Sequence, residues 1–85
     1  MFVKVRFARG RGDSQQATAG LVMEEADFNQ KNVSEISKLF PYSESLKMQF
    51  LQVSKPYETW DEAFNHNFSS GKIQKGVERE IRVNP

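Results

Sequence analysis

The sequence contains no cysteine among its 85 residues. This absence excludes disulfide bonds, thiolate metal sites and cysteine nucleophiles. Because small secreted domains usually depend on disulfides, we expect a protein of a reducing compartment, the cytoplasm. The N-terminal residues show no secretory signal, and no apolar run approaches the roughly 20 residues of a membrane span. We therefore expect no membrane association.

Histidine is almost as scarce, since His66 is the only one. A histidine zinc site needs at least one more strong nitrogen or sulfur ligand, and the sequence offers none. It also lacks the Gly-x-Ser-x-Gly elbow of hydrolases and the phosphate-binding glycine motifs of nucleotide enzymes. We expect no catalytic residue, no metal and no cofactor, and therefore no enzyme. His66 is predicted to lie at the surface or boundary of a helix.

Aromatic residues are abundant, with seven Phe, two Tyr and one Trp. Such large side chains can dominate the core of a small domain. Charge is nearly balanced, at 12 basic and 11 acidic residues, but its distribution is uneven. Residues 1–13 carry four basic side chains against one acidic, whereas residues 14–45 carry five acidic against two basic. These opposite blocks either face each other or form two separate surface patches.

Alternation of apolar and polar residues predicts strands at three places. Residues 2–8 direct Val3, Val5 and Phe7 to one side and charged residues to the other. Residues 46–53 and 77–83 show similar alternation, and Gln52 is among the side chains expected to be exposed. Residues 10–14 have the composition of a hairpin tip or loop. Residues 18–24 favour a returning strand, although the surrounding segment 15–29 also fits a helix.

Two short helices are predicted from their capping residues. The first begins near Asn32 or Ser34 and ends before Pro41. The second follows Thr59, which forms a Thr-x-x-Glu capping box with Glu62, and is expected to end near Gly71. In the second helix the residues at helical spacing form one apolar stripe: Trp60, Ala63, Phe64 and Phe68.

Together these elements predict one α+β domain spanning residues 1–85. It has about four mainly antiparallel strands, with two short helices on one face of the sheet. The element order resembles that of β-grasp folds. If residues 15–29 were helical, the order would instead resemble a split α/β sandwich.

The leading functional hypothesis is a small non-catalytic protein-binding module. By analogy with small phage and mobile-element proteins, we expect it to regulate or inhibit a larger complex. Because interface energy concentrates in aromatic residues and arginine, the candidate contact residues are Tyr42, Tyr57 and Trp60. A competing interpretation makes Trp60 and Phe64 core contacts of their helix. A separate candidate for contact with a basic partner is the acidic group of Glu24, Glu25 and Asp27.

The alternative hypothesis is nucleic-acid binding through the first strand and its loop. The candidate phosphate contacts are Lys4 and Arg6 on one strand face, with Arg9 and Arg11 at the tip. Against it, the sequence pI of about 8.0 is below the value of about 9 that marks dedicated nucleic-acid binders. The same basic face is also explained as an ordinary solvated sheet face. Homodimerisation through a sheet edge is a further open alternative.

Overall fold

The computed structural model describes residues 1–10, 16–40 and 50–68, and the backbone of residues 78–82. These residues form one antiparallel sheet and three short helices, which is the α+β class that the sequence predicts. The elements in chain order are β1 (Phe2–Arg9), β2 (Gln16–Ala17), β3 (Leu21–Glu24), α1 (Glu25–Gln30), α2 (Val33–Ser37), β4 (Phe50–Ser54), α3 (Trp60–Phe64) and β5 (Glu78–Arg82). None of the helices in the described residues is long and apolar enough to cross a membrane.

Strand β1 lies at the centre of the sheet. It pairs with β4 on one side and with both β2 and β3, at successive positions, on the other. The sheet therefore has four strand positions, in the order β2/β3, β1, β4, β5. Every described pairing is antiparallel, including that of the predicted final strand β5 with β4.

The returning strand changes its register against β1 by one residue. Arg9 pairs with Gln16 at the hairpin end, whereas Val5 pairs with Leu21 further along. Thr18 lies at this change, where its backbone amide donates to the carbonyl of Phe7 and its hydroxyl accepts from the Phe7 amide. A one-residue change of this kind is a β-bulge, which bends a strand locally. The expected hairpin is confirmed, and of its predicted tip at residues 10–14 the structure describes Gly10 alone.

The hydrophobic core lies on one face of this sheet. Val3, Val5 and Phe7 of β1 lie there, and Val5 and Phe7 are paired directly with Val53 and Leu51 of β4. The alternation predicted for β1 is thus confirmed. Three further buried side chains cover this face: Phe28 of α1, Ile36 of α2 and Phe40, which follows α2. The ring of Phe40 meets that of Phe7 edge to face, with centroids 5.1 Å apart.

The ambiguous segment 15–29 contains both a strand and a helix. Leu21, Val22 and Met23 pair with β1, and helix α1 begins immediately afterwards at Glu25. Helix α1 buries Phe28, which belongs to the hydrophobic core. The segment therefore contains the returning strand that the sequence favours, and it is helical only from Glu25 onward.

Helix α2 begins with a complete capping box at Asn32. The Asn32 side chain accepts from the backbone amide of Glu35 at 2.8 Å, and the Glu35 carboxylate accepts from the Asn32 amide at 3.1 Å. We expect Asn32→Ala to lower the free energy of unfolding by about 1 kcal/mol, because it removes this cap. In thermal unfolding, this corresponds to a decrease of about 4–8 °C in Tm. The exposed Asn29 of α1 is the control, and an equal effect of Asn29→Ala would contradict the capping role.

The two predicted helices lie on opposite faces of the sheet, rather than on one. Helix α2 packs on the core face, while α3 lies on the second face, where Lys4 of β1 contacts it. Side chains alternate along a strand, so Lys4 and its neighbours Val3 and Val5 must point to opposite faces. The structure also adds α1 to the two helices that the sequence predicts.

Candidate interaction surface

Helix α3 begins at the predicted capping box and is shorter than predicted. Thr59 accepts from the backbone amide of Glu62 at 3.1 Å, and the Glu62 carboxylate accepts from the Thr59 amide at 3.2 Å. The helix ends at Phe64, so His66 and Phe68 follow it in a segment without regular secondary structure. The predicted end near Gly71 lies outside the described residues.

Lys4 connects the sheet to the end of α3. Its ammonium donates to the carbonyl oxygens of Phe64 and His66, at 2.8 and 3.0 Å. The same Nζ atom lies 5.5 Å from the centre of the Phe64 ring, a cation–π distance. Burial, together with the nearby charge of Arg6, lowers the pKa of Lys4 from its usual value. Lys4 therefore acts as a structural contact in this fold, and its charge is directed at protein groups.

Arg6 makes a second contact between the sheet and the segment after α3. Its Nε donates to the side-chain oxygen of Gln52 at 2.7 Å, and its guanidinium carbon lies 4.6 Å from the centre of the Phe68 ring. Gln52 was expected to be exposed but is only 2% exposed. This expectation was wrong because the hydrogen bond to Arg6, made directly across the strand pair, allows the amide to be buried.

The third contact joins His66, within the segment after α3, to Tyr57, which precedes the helix. The Tyr57 hydroxyl and Nδ1 of His66 share a hydrogen bond of 2.8 Å. The Tyr57 backbone bridges to Phe2, and the His66 ring packs edge to face on Phe68. The prediction of a surface or boundary His66 was wrong, since the residue is buried. The prediction placed His66 within a helix, but α3 ends at Phe64. His66 therefore does not have to follow the helical face pattern, and its imidazole is buried against Tyr57.

Trp60 and Phe64 lie on the outer side of α3. Their rings are stacked, with centroids 5.0 Å apart and planes 13° from parallel. They remain 48% and 51% exposed, whereas Ala63 is fully buried. The apolar stripe of the sequence therefore does not form a buried helix face. Small Ala63 faces the sheet, and the two large rings form an exposed aromatic pair.

Carboxylates surround the aromatic pair in the sequence of α3 and its approach. Glu58, Asp61 and Glu62 are all exposed. No lysine or arginine occurs from residue 56 to residue 68. We refer to Trp60 and Phe64 with these three carboxylates as the α3 surface. It combines exposed apolar area with negative charge.

Of the other predicted site residues, the structure describes the acidic group and Arg9. The acidic group is divided by the junction of β3 and α1, because Glu24 ends the strand while Glu25 and Asp27 belong to the helix. The Arg9 guanidinium donates twice to the side-chain oxygen of Gln16, at 3.0 and 2.7 Å. Two further candidates, Tyr42 and Arg11, lie outside the described residues.

The contact made by Lys4 depends on the small size of Gly20. A β-carbon added at Gly20 would collide with the Lys4 side chain at Cε. The backbone of Gly20 does not have the positive φ found at Gly10, so space rather than conformation favours glycine there. The absence of a side chain at Gly20 therefore leaves the space through which the Lys4 side chain reaches α3.

We expect Gly20→Ala to destabilise the protein by about 1–2 kcal/mol, because displacing the Lys4 stem breaks hydrogen bonds made by a charged group. In a Lys4→Ala background the stem is absent, so the same change should cost less than about 0.5 kcal/mol. Urea unfolding of the four proteins in this double-mutant cycle measures the difference. Equal costs of Gly20→Ala in both backgrounds would show that the Lys4 side chain is not the obstacle.

Comparison with known proteins identifies no relative from which a functional site could be assigned. No family model matches the sequence, no curated protein matches it significantly, and no solved structure does. Among the residues that the structure describes, no three histidine, aspartate or glutamate side chains are grouped so as to hold a metal ion. The exposed aromatic pair of α3 is therefore the feature on which a functional proposal rests.

Proposed function

We propose that this protein is a non-catalytic binding module that recognises another protein through the α3 surface. In this role it regulates or blocks a larger complex. The observation that carries the proposal is the exposure of the stacked pair Trp60 and Phe64, about half of each side chain being open to solvent. Exposed aromatic clusters with a polar rim are typical of protein-interaction sites.

The energetics of interfaces support this proposal. Tryptophan is enriched among the few residues that contribute most of the binding energy in protein complexes. The Trp60 ring is already stacked on Phe64, which limits the rotamer freedom that would be lost on binding. The contacts from Lys4 hold the end of α3 to the sheet. The aromatic pair is therefore presented on a helix whose position does not depend on the partner.

The geometry supports the nucleic-acid alternative less well. Lys4 and Arg6 were proposed as phosphate contacts, but their polar groups donate to protein oxygens. The exposed aromatic pair could stack on bases, yet it lies among carboxylates that repel phosphate. The one cation beside the exposed rings, Lys4, donates to backbone carbonyl oxygens rather than facing solvent as a phosphate contact would.

Affinity capture from the native cell, with and without nuclease, tests the proposed function. The bait proteins are the wild type, a Trp60→Ala/Phe64→Ala variant and Leu39→Ala. Leu39 is a matched control because it is a large apolar side chain, 45% exposed, located beyond α2. We expect the same protein to be recovered with the wild type and Leu39→Ala, but not with the aromatic double variant, whatever the nuclease treatment.

Two results would contradict the proposal. Recovery that is unchanged by the aromatic double variant would place the binding site elsewhere on the protein. Loss of all co-purifying proteins after nuclease treatment would instead favour nucleic-acid binding. Circular dichroism of each bait shows whether a loss of binding reflects unfolding.

A further inference from the structure

We infer that the partner site recognised by the α3 surface is an apolar pocket bordered by lysine or arginine side chains. This inference rests on the proposed function and adds the chemistry of the partner. It follows from the charge around the aromatic pair, where the three exposed carboxylates of the α3 surface outnumber the one nearby ammonium, that of Lys4. A pocket that accepts Trp60 and Phe64 must come close to the carboxylates beside them, and basic groups there would complement this charge.

The negative charge of the α3 surface is local and accessible. Glu58 precedes the helix and Asp61 follows Trp60 directly, and both side chains are exposed. Glu62 is also exposed, although its carboxylate additionally caps the helix through Thr59. The nearest basic residue in the sequence is Lys55, whose ammonium lies over the ring of Tyr57. The ammonium of Lys4 also lies near the pair, 5.5 Å from the centre of the Phe64 ring, but it donates to two backbone carbonyl oxygens.

Glu24 extends the same charge onto the sheet. It pairs with Phe2 across β3 and β1, and Val22 pairs with Lys4. Paired residues project from the same face of a sheet, so Glu24 and Val22 share the face on which Lys4 reaches α3. Glu24 is exposed at the end of its strand. Of the acidic group predicted from the sequence, Glu24 is therefore the member that the fold places on the α3 side.

The exposed rings and carboxylates of the α3 surface favour a basic protein as partner over a nucleic acid or a second copy of this chain. Interface cores are enriched in aromatic residues, and rim charges determine which partners approach. A nucleic acid would bring phosphates to a negative rim. A second copy that docked through the same α3 surface would place carboxylates against carboxylates, which repel each other. A separate protein with free lysine or arginine side chains satisfies both the rings and the carboxylates.

Selection from a display library of random dodecapeptides tests this inference. Clones are selected on the immobilised wild-type protein after removal of those that bind the Trp60→Ala/Phe64→Ala variant. We expect the remaining clones to combine apolar residues with an excess of lysine and arginine over the starting library. For the strongest clone, Glu58→Gln/Asp61→Asn should weaken binding about threefold to tenfold, since it neutralises two charges of the rim. These two side chains are chosen because Glu62 also caps the helix.

The outcomes separate the inference from the proposed function. Aromatic-dependent clones without a basic excess, or affinity unchanged by Glu58→Gln/Asp61→Asn, would overturn the inferred partner chemistry while the proposed binding surface stands. Absence of any aromatic-dependent clone would overturn both. Concentration-dependent self-association that the aromatic double variant abolishes would identify a second copy as the occupant. Aromatic-dependent binding of single-stranded oligothymidylate would identify nucleic acid, and either result would reject the inference.

Discussion

Phe7→Ala is expected to remove most of the protein's stability and to leave a substantial unfolded fraction at physiological temperature. The Phe7 side chain is 1% exposed and lies at the centre of the sheet, where it pairs with Leu51 and contacts Phe40. Replacing a buried phenylalanine by alanine typically costs about 3–5 kcal/mol, because apolar area is lost and a cavity remains. Small domains have total stabilities near the lower end of about 5–15 kcal/mol. This one substitution therefore removes most of the stability available.

Far-UV circular dichroism and urea unfolding measure this effect. The matched control is Leu39→Ala, which removes a half-exposed apolar side chain and should change stability by less than about 0.5 kcal/mol. Phe7→Leu should be intermediate, since it keeps much of the buried volume. A Phe7→Ala protein that unfolds cooperatively, with a loss of less than about 1 kcal/mol, would contradict the assignment of Phe7 to the core.

Much of the fold was predictable because it depends on local pattern. The period of two in β1 identified Val3, Val5 and Phe7 as one face, and the structure buries all three. The capping box at Thr59 was predicted because it joins residues three positions apart, and Asn32 was one of the two caps that the sequence offered for α2. The change from β3 to α1 was harder to predict, because one segment carries the signals of both elements.

The position of α3 could not be predicted from local pattern. The hydrogen bonds from Lys4 join residues 60 and 62 positions apart in the chain, and a local pattern contains no such information. A stripe of Trp60, Ala63 and Phe64 is equally compatible with a buried helix face. Lys4 and Arg6 likewise had the spacing of a solvated strand face. Only the pairing of distant segments shows that these cations lie beneath another part of the chain.

Trp60→Ala is expected to weaken binding of the captured partner by about 30-fold or more, which is the loss of about 2 kcal/mol typical of a central interface tryptophan. The physical reason is that the ring offers a large apolar area on an already ordered helix. The fold should persist, since Trp60 is half exposed and its stacking on Phe64 contributes only about 0.5–1.5 kcal/mol. Titration calorimetry of both proteins measures the difference in affinity.

Trp60 also provides a direct reporter of this interface, because it is the only tryptophan in the sequence. If the partner covers the α3 surface, the Trp60 emission should move to shorter wavelength and become less accessible to acrylamide. Trp60→Phe should retain more affinity than Trp60→Ala, because it keeps an aromatic ring beside Phe64. Unchanged emission on saturation with partner, together with unchanged affinity of Trp60→Ala, would show that binding occurs away from α3. The aromatic pair would then be only an exposed part of the helix.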